Sequence, residues 1–197
     1  MNFLAHLALS RGDADLQVGN YIGDFIRGRE MLLLPRSIQR GVRMHRDIDA
    51  LTDVDPDVRM LNKTVAQRHG RYAPVITDIV FDHALYRNWA KFTCISYPDF
   101  KTEAYAVLRA RASVLPERIQ PPLYGMTDGD WLQQYASPLG MASVFRRLRG
   151  RLSRPEYLDG IDATLRDLDA EINQVFLRVF PRLQTLAETY LERTPTD

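Results

Sequence analysis

Apolar residues recur along this chain at intervals of three and four, the spacing that gathers them on one side of an α-helix. Residues 14–28 place Leu16, Tyr21, Ile22 and Phe25 in this way, and residues 37–53 follow with Ile38, Val42, Ile48 and Leu51. Pro35 and a potential cap at Ser37 open the second run. Asp55-Pro56 predicts a break and restart, because proline is tolerated at the first helical position. A helix then spans 56–69 and ends at Gly70; the next begins at Pro74 and carries Val75, Ile79, Phe81, Leu85 and Trp89. Another starts at Pro98, through Phe100, Tyr105 and Leu108. Residues 115–130, with Pro116, Pro121, Pro122, Gly125 and Gly129, read as the most loop-like stretch. Short helices near 131–136 and 139–149 precede a long final one over 155–191, with Pro181 as its expected kink. No strand-like alternation interrupts the pattern. The expectation is all-α: one domain over 1–197, with seven to nine helices.

Composition narrows the class. The chain has 197 residues, 45% hydrophobic, enough apolar mass for a core. A formal net charge of +1 argues against a dedicated nucleic-acid binder and against an acidic disordered chain. A lone cysteine, Cys94, excludes an internal disulfide framework and any cysteine-rich zinc module. The N-terminus lacks a basic region and a long apolar stretch, and no run approaches the roughly 18–20 apolar residues that span a bilayer. A cytoplasmic setting without membrane contact is expected. The run Met31-Leu32-Leu33-Leu34 reads as a core anchor, with a dimer contact or a loop lid as the other readings.

Candidate chemistry gathers early. Three of the four histidines lie among carboxylates in the first 83 residues. Asn20 and Asp24 are four apart and share a helix face. His45, Asp49 and Asp53 recur every four residues, stacking an imidazole and two carboxylates in one stripe, and Asp78-xxx-Asp82-His83 follows. Imidazole and carboxylate ligands suit Mn²⁺, Fe²⁺, Mg²⁺ or Zn²⁺, and such a cation activates water against a phosphoryl group. The bland readings are a solvated acidic face and an ordinary His45–Asp49 surface pair. His69, before a glycine, reads as a helix C-terminal residue. Arginine supplies 23 of the 26 basic residues. Arg27 and Arg46 flank the acidic and imidazole groups. Arg146, Arg147, Arg149, Arg151 and Arg154 crowd into nine positions, a patch able to dock an acidic protein, RNA or a phosphorylated ligand.

The opening Met1-Asn2-Phe3-Leu4-Ala5-His6-Leu7, the segment Gly19-Asn20-Tyr21-Ile22-Gly23-Asp24-Phe25, and His45-Arg46-xx-Asp49-xx-Thr52-Asp53 resemble the bacterial acyl carrier protein phosphodiesterase family. Asp82-His83 with Leu85, Gly140-Met141-Ala142, and Val175-Phe176-xx-Val179-Phe180-Pro181 extend the likeness over nearly the whole chain, except about 93–130. The resemblance implies a helical enzyme distantly related to the HD metal-dependent phosphohydrolases, although the adjacent His-Asp pair of that class is reversed here as Asp82-His83. It implies removal of 4′-phosphopantetheine from the serine of holo-acyl carrier protein, with Mn²⁺ as the usual cation and Mg²⁺ or Fe²⁺ as alternatives. On that basis the expected metal ligands come from Asp24, His45, Asp49, Asp82 and His83. Asp24, His6 and Asp53 are the expected catalytic groups. Arg27 and Arg46 would meet the phosphate, and Arg147, Arg149 and Arg151 the acidic carrier. The competing readings are an HD-like phosphohydrolase of a nucleotide or other small phosphoester, and a helical binding module without catalysis.

Overall fold

The computed structural model describes residues 1–192. These residues form twelve α-helices and five short 3₁₀ turns, with no strand among them. The first five helices carry all four histidines. They are α1 (Phe3–Leu9), α2 (Ala14–Ile22), α3 (Arg36–Val54), α4 (Pro56–His69) and α5 (Ala73–Arg87). Then come α6 (Trp89–Phe92), α7 (Tyr97–Ala110), α8 (Gln120–Asp128), α9 (Trp131–Gln134), α10 (Pro138–Arg149), α11 (Ile161–Asp167) and α12 (Asp169–Leu191). The number exceeds the seven to nine expected because the N-terminus, Trp89–Phe92 and Gln120–Asp128 each form a helix of their own and the final stretch divides into α11 and α12.

The helix starts follow local chemistry. Asp13 caps α2 by accepting from Leu16 N at 2.9 Å, and Ser96 and Ser137 cap α7 and α10 in the same way. At the expected break, Asp55 accepts from Asp57 N at 2.9 Å and Pro56 occupies the first turn of α4. The supposed loop over 115–130 is largely helical. Pro121 and Pro122 fall at the start of α8, where a missing N–H costs no hydrogen bond. The supposed single helix over 155–191 is a 3₁₀ turn over 155–158, then α11, then α12. Gly160 adopts φ +71° between the first two, a conformation that ends helical progression. Pro181 lies inside α12, which continues to Leu191.

Buried apolar residues from all these elements form one core. Phe81 of α5, Phe92 of α6, and Phe176 and Phe180 of α12 pack ring to ring, with centroids 4.8 to 5.8 Å apart. Helices α2 and α3 approach closely through two glycines. A Cβ on Gly19 would lie 2.1 Å from the Ile38 carbonyl oxygen, and one on Gly41 would lie 2.2 Å from that of Leu16. This contact brings Asn20 of α2 against His45 of α3. His69 is fully buried, with Nδ1 2.6 Å from the Tyr157 carbonyl and Nε2 2.8 Å from Thr164 Oγ1. It is the last residue of α4, as expected, and also ties that helix to α11. No described helix is long and apolar enough to cross a membrane.

Candidate metal centre

The N-terminal helix absent from the sequence reading delivers a central residue. Its amides at Leu4 and Ala5 donate to the two carboxylate oxygens of Asp82, at 2.7 and 3.1 Å. That buried contact fixes α1 against α5, and burial pushes the Asp82 carboxyl up to about 7 despite the two N–H donors. Held this way, α1 places His6 beside His45. The rings stack with centroids 4.0 Å apart.

One residue orients both imidazoles. Asn20 is fully buried. Its Oδ1 lies 2.8 Å from His6 Nδ1, its backbone oxygen lies 2.8 Å from His45 Nδ1, and its Nδ2 donates to the His6 carbonyl at 2.8 Å. Both oxygens accept, so each ring donates from Nδ1 and turns Nε2 toward Asp49. His6 Nε2 is 3.2 Å from Asp49 Oδ1, and His45 Nε2 is 3.1 Å from Asp49 Oδ2 and 3.2 Å from Asp24 Oδ1. A Cβ on Gly23 would lie 2.1 Å from the His45 ring, so the bare backbone there makes room for the imidazole.

The two histidines differ electrostatically. Burial, then the neighbouring His45, lowers the His6 pKa and keeps its ring neutral. Burial also disfavours the His45 cation, but hydrogen bonds to Asp24 and Asp49 outweigh it and raise His45 to about 9. At Asp49 burial is overcome by the hydrogen bond from His45, with the N-terminal ammonium nearby, and the carboxyl is held far below the usual range. His6 Nε2 and Asp49 Oδ1 are both buried without a hydrogen-bond partner, the N-terminal ammonium standing 3.6 Å from Asp49 Oδ1. At 3.2 Å they are close enough to hydrogen-bond, yet a neutral ring donating from Nδ1 has no proton left to give. Two lone pairs therefore face each other in a place water does not reach, an arrangement a cation relieves. His6, His45 and Asp49 present ligand atoms within 4.8 Å of one another. Their nitrogen and oxygen donors fit a divalent transition ion, and the Asn20 contacts supply the orienting outer layer such sites need.

Of the residues expected at the site, His6, Asp24, His45 and Asp49 come together. Asp24 stands at the mouth, its side chain 67% exposed. Asp53 lies one turn beyond Asp49 on the exposed flank of α3, with its carboxyl pushed up by burial and then by Asp78 and Asp49. Asp82 and His83 are not drawn in. Asp82 caps α1, and His83 Nδ1 contacts the Tyr135 carbonyl at 2.7 Å. His83 lines a different, largely apolar pocket of about 700 Å³ between α5, α10 and α12. The reversed Asp-His pair is thus split between two structural tasks.

The arginines separate likewise. Arg27 shares a cleft of about 560 Å³ with Asp24, Phe25, Glu30 and Arg118. Arg46 reaches back to the Ile26 carbonyl at 3.5 Å and to Met31 Sδ at 3.9 Å. In the distant patch, Arg147 lies over the Trp131 ring and bonds Gln134, while Arg149 pairs with Asp159 at 2.6 Å. Arg154 pairs with Glu156 at 2.8 Å, and Arg151 stays exposed. Two contributors escaped the sequence reading. Asn20 was noticed only as a neighbour of Asp24, and Arg118 sits in a segment without motifs.

A family model described as acyl carrier protein phosphodiesterase matches residues 1–183. A protein of that name from Salmonella dublin is 33% identical over 198 residues, covering 95% of this chain and 97% of the relative. One from Photorhabdus laumondii is 31% identical over 192 residues, covering 95% and 96%. Another, from Enterobacter sp., is 32% identical over 198 residues, covering 95% and 98%. No solved structure matches the chain. Matched along nearly its full length, the chain belongs to the acyl carrier protein phosphodiesterase family.

Proposed function

We propose that this protein hydrolyses the phosphodiester joining 4′-phosphopantetheine to a serine of holo-acyl carrier protein, with a divalent cation held by His6, His45 and Asp49. The observation that carries the reading is the pair of facing, proton-free buried atoms, His6 Nε2 and Asp49 Oδ1. Two imidazoles and a carboxylate disfavour Mg²⁺, which prefers oxygen and water, and admit Mn²⁺, Fe²⁺ or Zn²⁺; Mn²⁺ is taken first because the family resemblance implies it. When bound, the ion would lower the pKa of a coordinated water and polarise a phosphoryl oxygen.

The protein groups divide the remaining work. Asn20 fixes both rings so that their Nε2 atoms converge. Asp24, ionised because His45 lowers its carboxyl, accepts a hydrogen bond from the attacking water at the mouth of the site. Arg27 neutralises non-bridging oxygens from the adjoining cleft. Arg46 acts one step back, bracing the 26–31 segment. Water passes a proton to Asp24 as it attacks phosphorus, the bond to the serine oxygen breaks, and that oxygen takes up a proton. Asp53, one turn beyond Asp49 on α3, is the donor in this scheme.

The ligand set is tested by titrating the protein with Mn²⁺. Asp49→Ala is expected to abolish binding. Asn20→Ala is expected to weaken it by about 10–100-fold, the usual cost of losing an orienting partner. His83→Ala should leave the affinity unchanged. Retained binding in Asp49→Ala, or its loss in His83→Ala, would place the ion elsewhere.

A further inference from the structure

Resting on that reading, we propose that the carrier docks on the rim of the metal site formed by the 3₁₀ turn over 28–33 together with Arg27 and Arg118, rather than on the Arg146–Arg154 patch. Chemistry sets the geometry. The bond to be cut begins at a serine side chain, which puts one carbon between the carrier's backbone and the scissile oxygen. The carrier's own surface must therefore lie against the metal site, because the long pantetheine arm is on the other side of the phosphate.

The rim is shaped for that contact. Met31 is held by Arg46, Glu30 by Arg118 at 2.5 Å, and Leu34 by burial in the core. Between these anchors Leu32 and Leu33 are 66% and 86% exposed, two adjacent leucines facing solvent beside a polar site. The core-anchor reading of this run holds for Leu34 and fails for Leu32 and Leu33. Arg118 also donates to the Phe25 carbonyl at 2.7 Å, so its charge is fixed in the cleft that Asp24 and Arg27 line. Glu30 already pairs Arg118, so the exposed Arg27 and Arg29 carry the charge of this rim, and an apolar knob edged by these two guanidinium groups complements a small acidic helical protein. None of the arginines over 146–154 lines the cleft that Asp24 and Arg27 share, and there Arg149 and Arg154 pair with Asp159 and Glu156 while Arg147 lies over Trp131.

The test is titration calorimetry with apo-acyl carrier protein, which reads docking without turnover. The double variant Leu32→Asp/Leu33→Asp changes only exposed side chains. It should weaken binding at least tenfold, with an unchanged melting temperature and an unchanged Mn²⁺ affinity. Arg27→Glu should weaken it comparably, and Arg151→Glu by less than twofold. Unaltered binding in the leucine variant, or a larger loss in Arg151→Glu, overturns the assignment. So does sedimentation showing a wild-type dimer that the leucine variant converts to a monomer, since the knob would then be a subunit contact. Tight binding of the carrier without any hydrolysis would leave the docking face standing and defeat the catalytic reading instead.

Discussion

Asn20 uses a side-chain oxygen for one imidazole and its backbone oxygen for the other, so both Nε2 atoms converge on Asp49. The two rings then titrate in opposite directions, His6 lowered and His45 raised to about 9. A cation takes the His45 Nε2 lone pair only after the proton there has left. Below about pH 9 that proton is bound in the free protein, so binding must release it and affinity rises with pH. Mn²⁺ affinity should increase about tenfold between about pH 7 and about pH 8, with one proton released per ion. Calorimetry in buffers of different ionisation enthalpy measures that proton directly. An affinity flat across this range would mean that His45 is not a ligand.

At the scale of elements, the site depends on how closely α2 and α3 approach. Alanine in place of Gly41 would favour an isolated helix by about 1 kcal/mol. Here its Cβ would strike the Leu16 carbonyl, a backbone atom that cannot swing aside, and overpacking of this kind costs about 1–3 kcal/mol. The steric term should win. Gly41→Ala is expected to lower the melting temperature and, by separating Asn20 from His45, to weaken Mn²⁺ binding. Thermal unfolding with and without Mn²⁺ checks both, and a stabilised variant would show that the helices have room to adjust. The same scale explains what could be read in advance. Stripes such as Ile38–Val42–Ile48 and the Asp55-Pro56 restart depend on neighbours in the chain, and they appear where expected. Prolines and glycines over 115–130 gave a wrong answer, because proline has opposite meanings in the first turn of a helix and in its interior. The 3.6 period across 155–191 hid the Gly160 break, since packing on one core keeps the apolar stripe in phase on both sides of it.

The whole molecule decides which of several plausible Asp and His residues meet. His45 and Asp49 are four apart on α3, so their pairing was visible in the chain. His6 joins them because Asp82, 77 residues away from Ala5, holds α1 from α5 and Asn20 holds it from α2. No spacing rule separates that structural aspartate from a ligand. Arg118 was hidden for the same reason, because its partner Glu30 is 88 residues distant. The arginine patch was conspicuous in sequence, but the fold supplies Asp159 and Glu156 to meet it. What the fold offers is a His/Asp cluster beside the cleft lined by Asp24, Arg27 and Arg118, where Asp24 and the 28–33 turn face solvent. The most direct test of its function is the mass of holo-acyl carrier protein after incubation with the purified protein and Mn²⁺. The account predicts conversion to the apo mass with release of 4′-phosphopantetheine, abolished by a chelator and by Asp49→Ala. An unchanged carrier mass with Mn²⁺ present, or conversion that survives Asp49→Ala, would contradict it.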